Sequence, residues 1–198
     1  MRLCGLCLCV LALTAMEPTL AQEPTPAGTG PAIDAVIGNN VLQLRYIAAS
    51  PLTQATSDLD YGLLLSEGRD IVGSAALLFN TNLDVVPRLR FQVGPQAYLA
   101  ALNAVQKTDV FALAFGANAR YDLIPSMGLA AFGAAFYSPG VLTFGNAHNL
   151  YDFQAGAEVR FMTRLYGLAG YRWFKFTLVG EPNDRVANEL FAGFRWVM

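Results

Sequence analysis

The sequence predicts an all-β fold: a small closed antiparallel transmembrane β-barrel of eight to ten strands. The first observation is the segment 186–198, in which Phe194 and Trp196 fall on one parity and Glu189 and Arg195 on the other. Successive side chains of a strand point to opposite faces, so one face is aromatic and the other is charged. The second is that similar alternation recurs between turn residues along the chain, and the third is that no helix is predicted to cover the apolar face. Together they indicate a barrel with lipid on its outer face.

The N-terminal residues 1–21 are predicted to be a signal peptide. Arg2 precedes an apolar run at residues 3–15 that is too short to span a bilayer, and residues 19–21 (Thr-Leu-Ala) resemble a cleavage site. The mature chain would then begin at Gln22; an uncleaved membrane anchor is the alternative. All three cysteines precede the cleavage site, which would exclude disulfides and Cys-ligated metal from the mature chain.

Residues 22–31 are rich in proline, glycine and threonine, which predicts a flexible linker, and residues 32–198 are predicted to form one barrel domain. The hydrophobic content of 54% and the mean hydropathy of +0.37 are high for a secreted globular protein. The longest uncharged stretch, residues 123–151, is interrupted by Pro125 and Pro139, so its apolar pieces have the length of a membrane strand. The net charge of −2, without a basic run, argues against nucleic-acid binding.

The alternation is clearest at residues 151–161, where Tyr151 and Phe161 oppose Asp152 and Glu158. Aromatic residues also gather at the ends of the predicted strands, as in the two aromatic belts of a membrane barrel. They are Tyr46, Tyr61, Phe79, Phe91, Phe111, Tyr121, Tyr137, Tyr151, Phe161, Tyr171, Trp173 and Trp196.

The strand count depends on residues 38–40 (Gly-Asn-Asn). Without a turn there the segments add up to an odd number, whereas bacterial barrels have an even number of strands. Asn and Gly favour tight hairpin turns, so a turn at this point separates strands at 33–37 and 41–48 and gives ten, the preferred count. The alternative leaves a short first segment outside a barrel of eight.

At Pro95 the sequence predicts a bulge or a strand break, because proline cannot donate to the ladder.

Charged residues on the inward parity would meet across the lumen of so narrow a barrel. Buried charges are costly unless they are paired, so the sequence predicts an ion-paired plug that fills and rigidifies the barrel. The excess of arginine over acid leaves a narrow, porin-like conduit for small anions as the alternative. The predicted lumen charge network consists of Arg45, Arg90, Arg120, Glu158, Arg160, Arg172, Glu189 and Arg195.

The chain has one histidine, His148, in a predicted loop. A metal site needs several ligands, and no cluster of carboxylates or other histidines accompanies it. Ser138 and Asp152 lie near His148 in sequence, but no nucleophile motif surrounds the serine. The sequence therefore predicts no catalytic residues, no metal and no cofactor.

The C-terminal half contains a recognisable order of motifs: residues 135–140 (AFYSPG), 149–152 (NLYD), 155–160 (AGAEVR), 170–172 (GYR), 183–185 (NDR) and 191–195 (FAGFR). This order resembles the YfaZ family of small bacterial outer-membrane proteins. The resemblance covers residues 110–198 well and residues 30–105 loosely, and it implies a location and a fold rather than an activity.

The leading hypothesis is a monomeric barrel in the outer membrane of a Gram-negative bacterium, with a structural or narrow-pore role. Its expected partners are outer-membrane lipid and the barrel-assembly machinery, with small anions as the partner of the conduit alternative. The rivals are an outer-membrane lipid-modifying enzyme that uses His148 with Ser138, and a soluble periplasmic β-barrel or sandwich that binds a ligand. The scarcity of lysine, only Lys107 and Lys175, disfavours the soluble rival.

Overall fold

The computed structural model describes part of the chain: residues 30–49, 57–82, 86, 88–103, 108–178 and 184–198. The predicted signal peptide, and all but the last two residues of the predicted linker, lie outside the described residues. Among the residues that are described, no helix is long and apolar enough to cross a membrane.

Eleven strands and two short 3₁₀ turns make up the described secondary structure. The 3₁₀ turns are Pro125–Met127 and Gly140–Leu142. The strands are β1 (Ala32–Gly38), β2 (Val41–Ala49), β3 (Ser57–Ser66), β4 (Ile71–Asn82), β5 (Leu89–Leu102), β6 (Thr108–Ile124), β7 (Leu129–Ser138), β8 (Thr143–Gly145), β9 (Ala147–Met162), β10 (Leu165–Leu178) and β11 (Asp184–Val197).

The strands close into a ten-membered antiparallel ring, which confirms the predicted barrel. Each long strand pairs with its neighbours in the order β1-β2-β3-β4-β5-β6-β7-β9-β10-β11, and β11 pairs back onto β1. The short β8 pairs with β6 at Val110–Ala112, beyond the point at which β7 leaves β6. Strand β8 therefore continues the place of β7 in the wall and adds no eleventh position.

The turn at residues 38–40 is confirmed, because β1 ends at Gly38 and β2 begins at Val41.

The prediction at Pro95 is wrong: β5 runs unbroken through this residue. Its pairing with β4 lapses opposite Gly94 and Pro95 and then resumes in the same register. The ladder tolerates the missing N–H of proline without a bulge. Gly94 allows the strands to stay close, since a Cβ there would collide with the Leu77 carbonyl oxygen.

The two faces of the wall differ as the parity predicts. Outward side chains are large and exposed: Phe115 is 55% exposed, Phe194 57% and Leu190 71%. Inward side chains of the same wall include Asp34 and Glu158, each 2% exposed. The barrel thus has an apolar exterior and places carboxylates inside, the reverse of a soluble protein.

Not all of the interior is polar. Away from the end at which β1 begins and β11 ends, the lumen is filled by an apolar cluster that includes Tyr98, Leu150, Phe174 and Phe176, all essentially inaccessible to solvent. The alternation of polar and apolar residues does not predict this cluster.

A second group of apolar side chains brings Phe132 and Phe191 together across the lumen, with ring centroids 6.4 Å apart. Glycines directly opposite them on the neighbouring strands β9 and β10 make room for these rings. A Cβ at Gly156 would lie 2.8 Å from Phe132, and one at Gly170 would lie 2.7 Å from Phe191.

Candidate functional site: the charged lumen

Five arginines and five carboxylates meet inside the barrel, mostly toward the end at which β1 begins and β11 ends, called the terminus end. Seven ion pairs join them. Because the five positive charges equal the five negative charges in number, the paired side chains carry no net charge. The members are Arg45, Arg90, Arg120, Arg172 and Arg195 with Asp34, Asp60, Asp122, Asp152 and Glu158.

The centre of this network is the carboxylate of Glu158. Its Oε2 accepts a hydrogen bond from Arg195 at 2.8 Å, and its Oε1 accepts one from Arg120 Nε at 2.7 Å. Arg195 also donates two hydrogen bonds of 2.8 Å to Asp34, the bidentate geometry that a guanidinium and a carboxylate favour. The four side chains connect β1, β11, β9 and β6 across the lumen.

The network extends to both sides of this centre. Arg120 lies 2.7 Å from Asp122, which is 3.8 Å from Arg90. On the other side Arg45 of β2 pairs with Asp60 of β3 through both carboxylate oxygens.

A separate triad lies nearer the apolar cluster. Asp152 Oδ2 accepts hydrogen bonds from Arg172 at 3.0 Å and from the Tyr98 hydroxyl at 2.9 Å. The Arg172 guanidinium also lies 5.4 Å from the centroid of the Phe174 ring. Its Nε and Nη1 are buried and find no hydrogen-bond acceptor among the described residues.

Two of the predicted network residues lie elsewhere. Arg160 is exposed at the terminus end and donates to the Ser126 carbonyl oxygen at 3.3 Å. Glu189 accepts a hydrogen bond of 2.7 Å from the backbone N–H of Asn40, at the turn between β1 and β2. Neither residue takes part in the seven ion pairs.

Four acids of the network were absent from the predicted set: Asp34, Asp60, Asp122 and Asp152. The sequence did carry a signal for them. Asp122 follows Arg120 by two residues, and Asp152 has the same parity as Glu158 on β9, so each faces the lumen.

Among the described residues, Ser138 and His148 of the enzyme rival share no hydrogen bond. Ser138 is fully buried, and its hydroxyl donates to the Leu113 carbonyl oxygen at 2.9 Å and also contacts the Thr143 hydroxyl. His148 lies in β9 and not in the predicted loop. It is exposed, and its ring packs against Gly140, where a Cβ would lie 2.8 Å from it. In the described ranges no three His, Cys, Asp or Glu side chains are grouped as metal ligands would be.

The fold and its interior define a small closed β-barrel with an apolar exterior and a charge-paired lumen. The family model described as "YfaZ precursor" matches residues 65–195, more than half of the chain. The chain belongs to the YfaZ family. No curated protein and no solved structure matches it.

Removing the central carboxylate tests the network. The Glu158→Gln variant leaves Arg120 and Arg195 without the charge that they share, and we expect the free energy of unfolding to fall by about 3 kcal/mol. The same substitution at Glu189, outside the network, keeps an oxygen for Asn40 and should cost less than about 1 kcal/mol. Urea unfolding followed by the fluorescence of Trp173 and Trp196 measures both. Equal losses in the two variants would contradict the central role of Glu158.

Proposed function

We propose that this protein is an integral barrel of the outer membrane of a Gram-negative bacterium, with a closed lumen and a structural rather than conducting or catalytic role. Lipid covers its outer wall in this account, and the barrel-assembly machinery inserts it as a monomer. The observation that carries the proposal is the apolar outer band between two rows of aromatic side chains.

The height of this band matches a bilayer. On β9 the outward aromatics Tyr151 and Phe161 are ten residues apart, and on β6 Phe111 and Tyr121 have the same separation. At about 3.3 Å per residue and a strand tilt of about 40°, ten residues rise about 25 Å, which is the height of the apolar band of outer-membrane barrels. The outward-facing side chains between the two rows are apolar on both strands.

The aromatic row farther from the terminus end continues over the neighbouring strands β7, β9 and β10. The ring centroids of Tyr137 and Tyr151 are 5.0 Å apart, those of Tyr151 and Trp173 are 5.9 Å apart, and those of Phe153 and Trp173 are 5.4 Å apart. Amphipathic rings of this kind favour the boundary between lipid and water.

The contents of the lumen support a closed barrel. The paired arginines and carboxylates balance, which removes the positive bias on which the anion-conduit alternative depends. Beyond them, Phe174 and Phe176 are inaccessible to solvent and belong to the apolar cluster. An ion that entered from the terminus end would have to cross both layers.

An arginine placed in the middle of the outer band tests the membrane assignment. Ala155 faces outward midway between Tyr151 and Phe161. In the Ala155→Arg variant, refolded into lipid vesicles, we expect the free energy of unfolding to fall by about 2–4 kcal/mol, because the charge meets hydrocarbon. The matched control Thr163→Arg, at the exposed turn between β9 and β10, should cost about 0–1 kcal/mol.

Two results would contradict the membrane assignment. One is a neutral Ala155→Arg variant, as expected of a surface that meets water. The other is recovery of the wild-type protein in the freely soluble periplasmic fraction rather than with the outer membrane.

Conductance tests the closed lumen. Wild-type protein reconstituted into planar bilayers should give no steady current above that of the bare membrane, whereas an open porin in the same membranes conducts. A stable anion-selective current would instead establish the conduit.

A further inference from the structure

Two arginines lie side by side at the terminus end of the lumen. Arg90 of β5 and Arg120 of β6 are directly opposite each other in the register of the two strands. Like charges in such a cross-strand pair repel each other and destabilise the sheet. Both guanidinium groups face the same carboxylate, Asp122.

The charges of the network are balanced as a whole but unevenly shared. Arg195 has both Asp34 and Glu158 as hydrogen-bonded partners. Arg90 has Asp122 at 3.8 Å, which is beyond the length of an N–H···O hydrogen bond. Arg90 is thus the most weakly compensated cation of the network.

Each arginine of the pair also has a donor without an acceptor. Arg90 Nη2 and Arg120 Nη1 are buried and make no hydrogen bond with the described residues. Arg120 Nη1 lies 2.7 Å from Asp122 Oδ1, but without the alignment of a hydrogen bond. Buried donors that lack an acceptor cost free energy, and an oxyanion would satisfy them.

The side chains around these buried donors are partly open to solvent. The side chain of Arg90 is 29% exposed and that of Asp122 is 25% exposed, whereas Glu158, deeper in the lumen, is 1% exposed. The exposed Arg160 adds positive charge at the same end of the barrel.

We propose that Arg90, Arg120 and Asp122 form a binding site for inorganic phosphate. Planar guanidinium groups bind oxyanions through paired, charge-assisted hydrogen bonds. The carboxylate of Asp122 sets the specificity, because it repels an anion that has no proton but accepts a hydrogen bond from a P–OH group. Inorganic phosphate keeps a P–OH at neutral pH, whereas sulfate and the phosphodiester of a lipid headgroup have no such proton.

This site ends in the lumen and is not a path through it. The ion pairs of Glu158 and the apolar cluster lie beyond it, so bound phosphate stays at the mouth. The proposal goes beyond the structural role proposed above and does not depend on it, since the site is formed by the barrel itself.

Calorimetric titration of the full chain in detergent micelles tests the site. The buffer contains no phosphate, and the ligands are inorganic phosphate, sulfate and glycerophosphoglycerol, a water-soluble phosphodiester headgroup. We expect phosphate to bind at least about tenfold more tightly than either of the others, the factor expected from one hydrogen bond to a charged group. Equal affinity for phosphate and sulfate, preference for the phosphodiester, or no phosphate binding would overturn the proposal.

Variants connect the binding to the named residues. Arg90→Gln should weaken phosphate binding at least about tenfold, whereas Arg88→Gln, an exposed arginine two residues away, should change it less than twofold. Arg90→Lys keeps the charge and should still lose affinity, because the guanidinium fork is gone. Asp122→Asn should bring sulfate affinity close to that of phosphate. Unchanged phosphate binding in both Arg90 variants, or unchanged selectivity in Asp122→Asn, would refute the assignment.

Discussion

The carboxylate of Glu158 is the interaction on which the interior of this barrel depends. It lies between Arg120 and Arg195, on strands that do not pair with β9, and so it joins wall segments that backbone hydrogen bonds leave apart. A barrel whose exterior is apolar places its polar side chains inside, where an unpaired charge is costly. Shared carboxylates allow several arginines to be buried in a narrow lumen without a net charge, and the apolar cluster fills the remaining space.

Much of the fold could be predicted from the sequence because a strand has a side-chain period of two. The parity of Phe194 and Arg195 places them on opposite faces, and the turn after Gly38 gives the even strand count. Pro95 by itself predicts an interruption of β5, but its neighbour Gly94 prevents one. Gly94 lets β4 and β5 remain close, so the ladder lapses for two positions and the strand continues.

The composition of the lumen was harder to predict, because parity gives the face of a residue but not its height in the barrel. Height depends on the stagger of the strands, which a single sequence does not specify. Arg160 and Glu189 have inward parity but lie near opposite ends of the barrel, away from the ion pairs. Phe174 and Phe176 share the parity of Arg172, but the two rings belong to the apolar cluster, whereas Arg172 lies beside them among the charged side chains.

The orientation of the wall is the central claim, and spin labels on successive residues of β9 test it most directly. Single cysteines at residues 153, 154, 155, 157 and 160, on a background without Cys4, Cys7 and Cys9, would carry the labels in protein reconstituted into lipid vesicles. The account predicts a period of two: labels at 153, 155 and 157 collide with oxygen dissolved in the bilayer, whereas those at 154 and 160 are shielded from it. Access of a water-soluble relaxation agent to 153, 155 and 157 would contradict it, since those side chains would then face water.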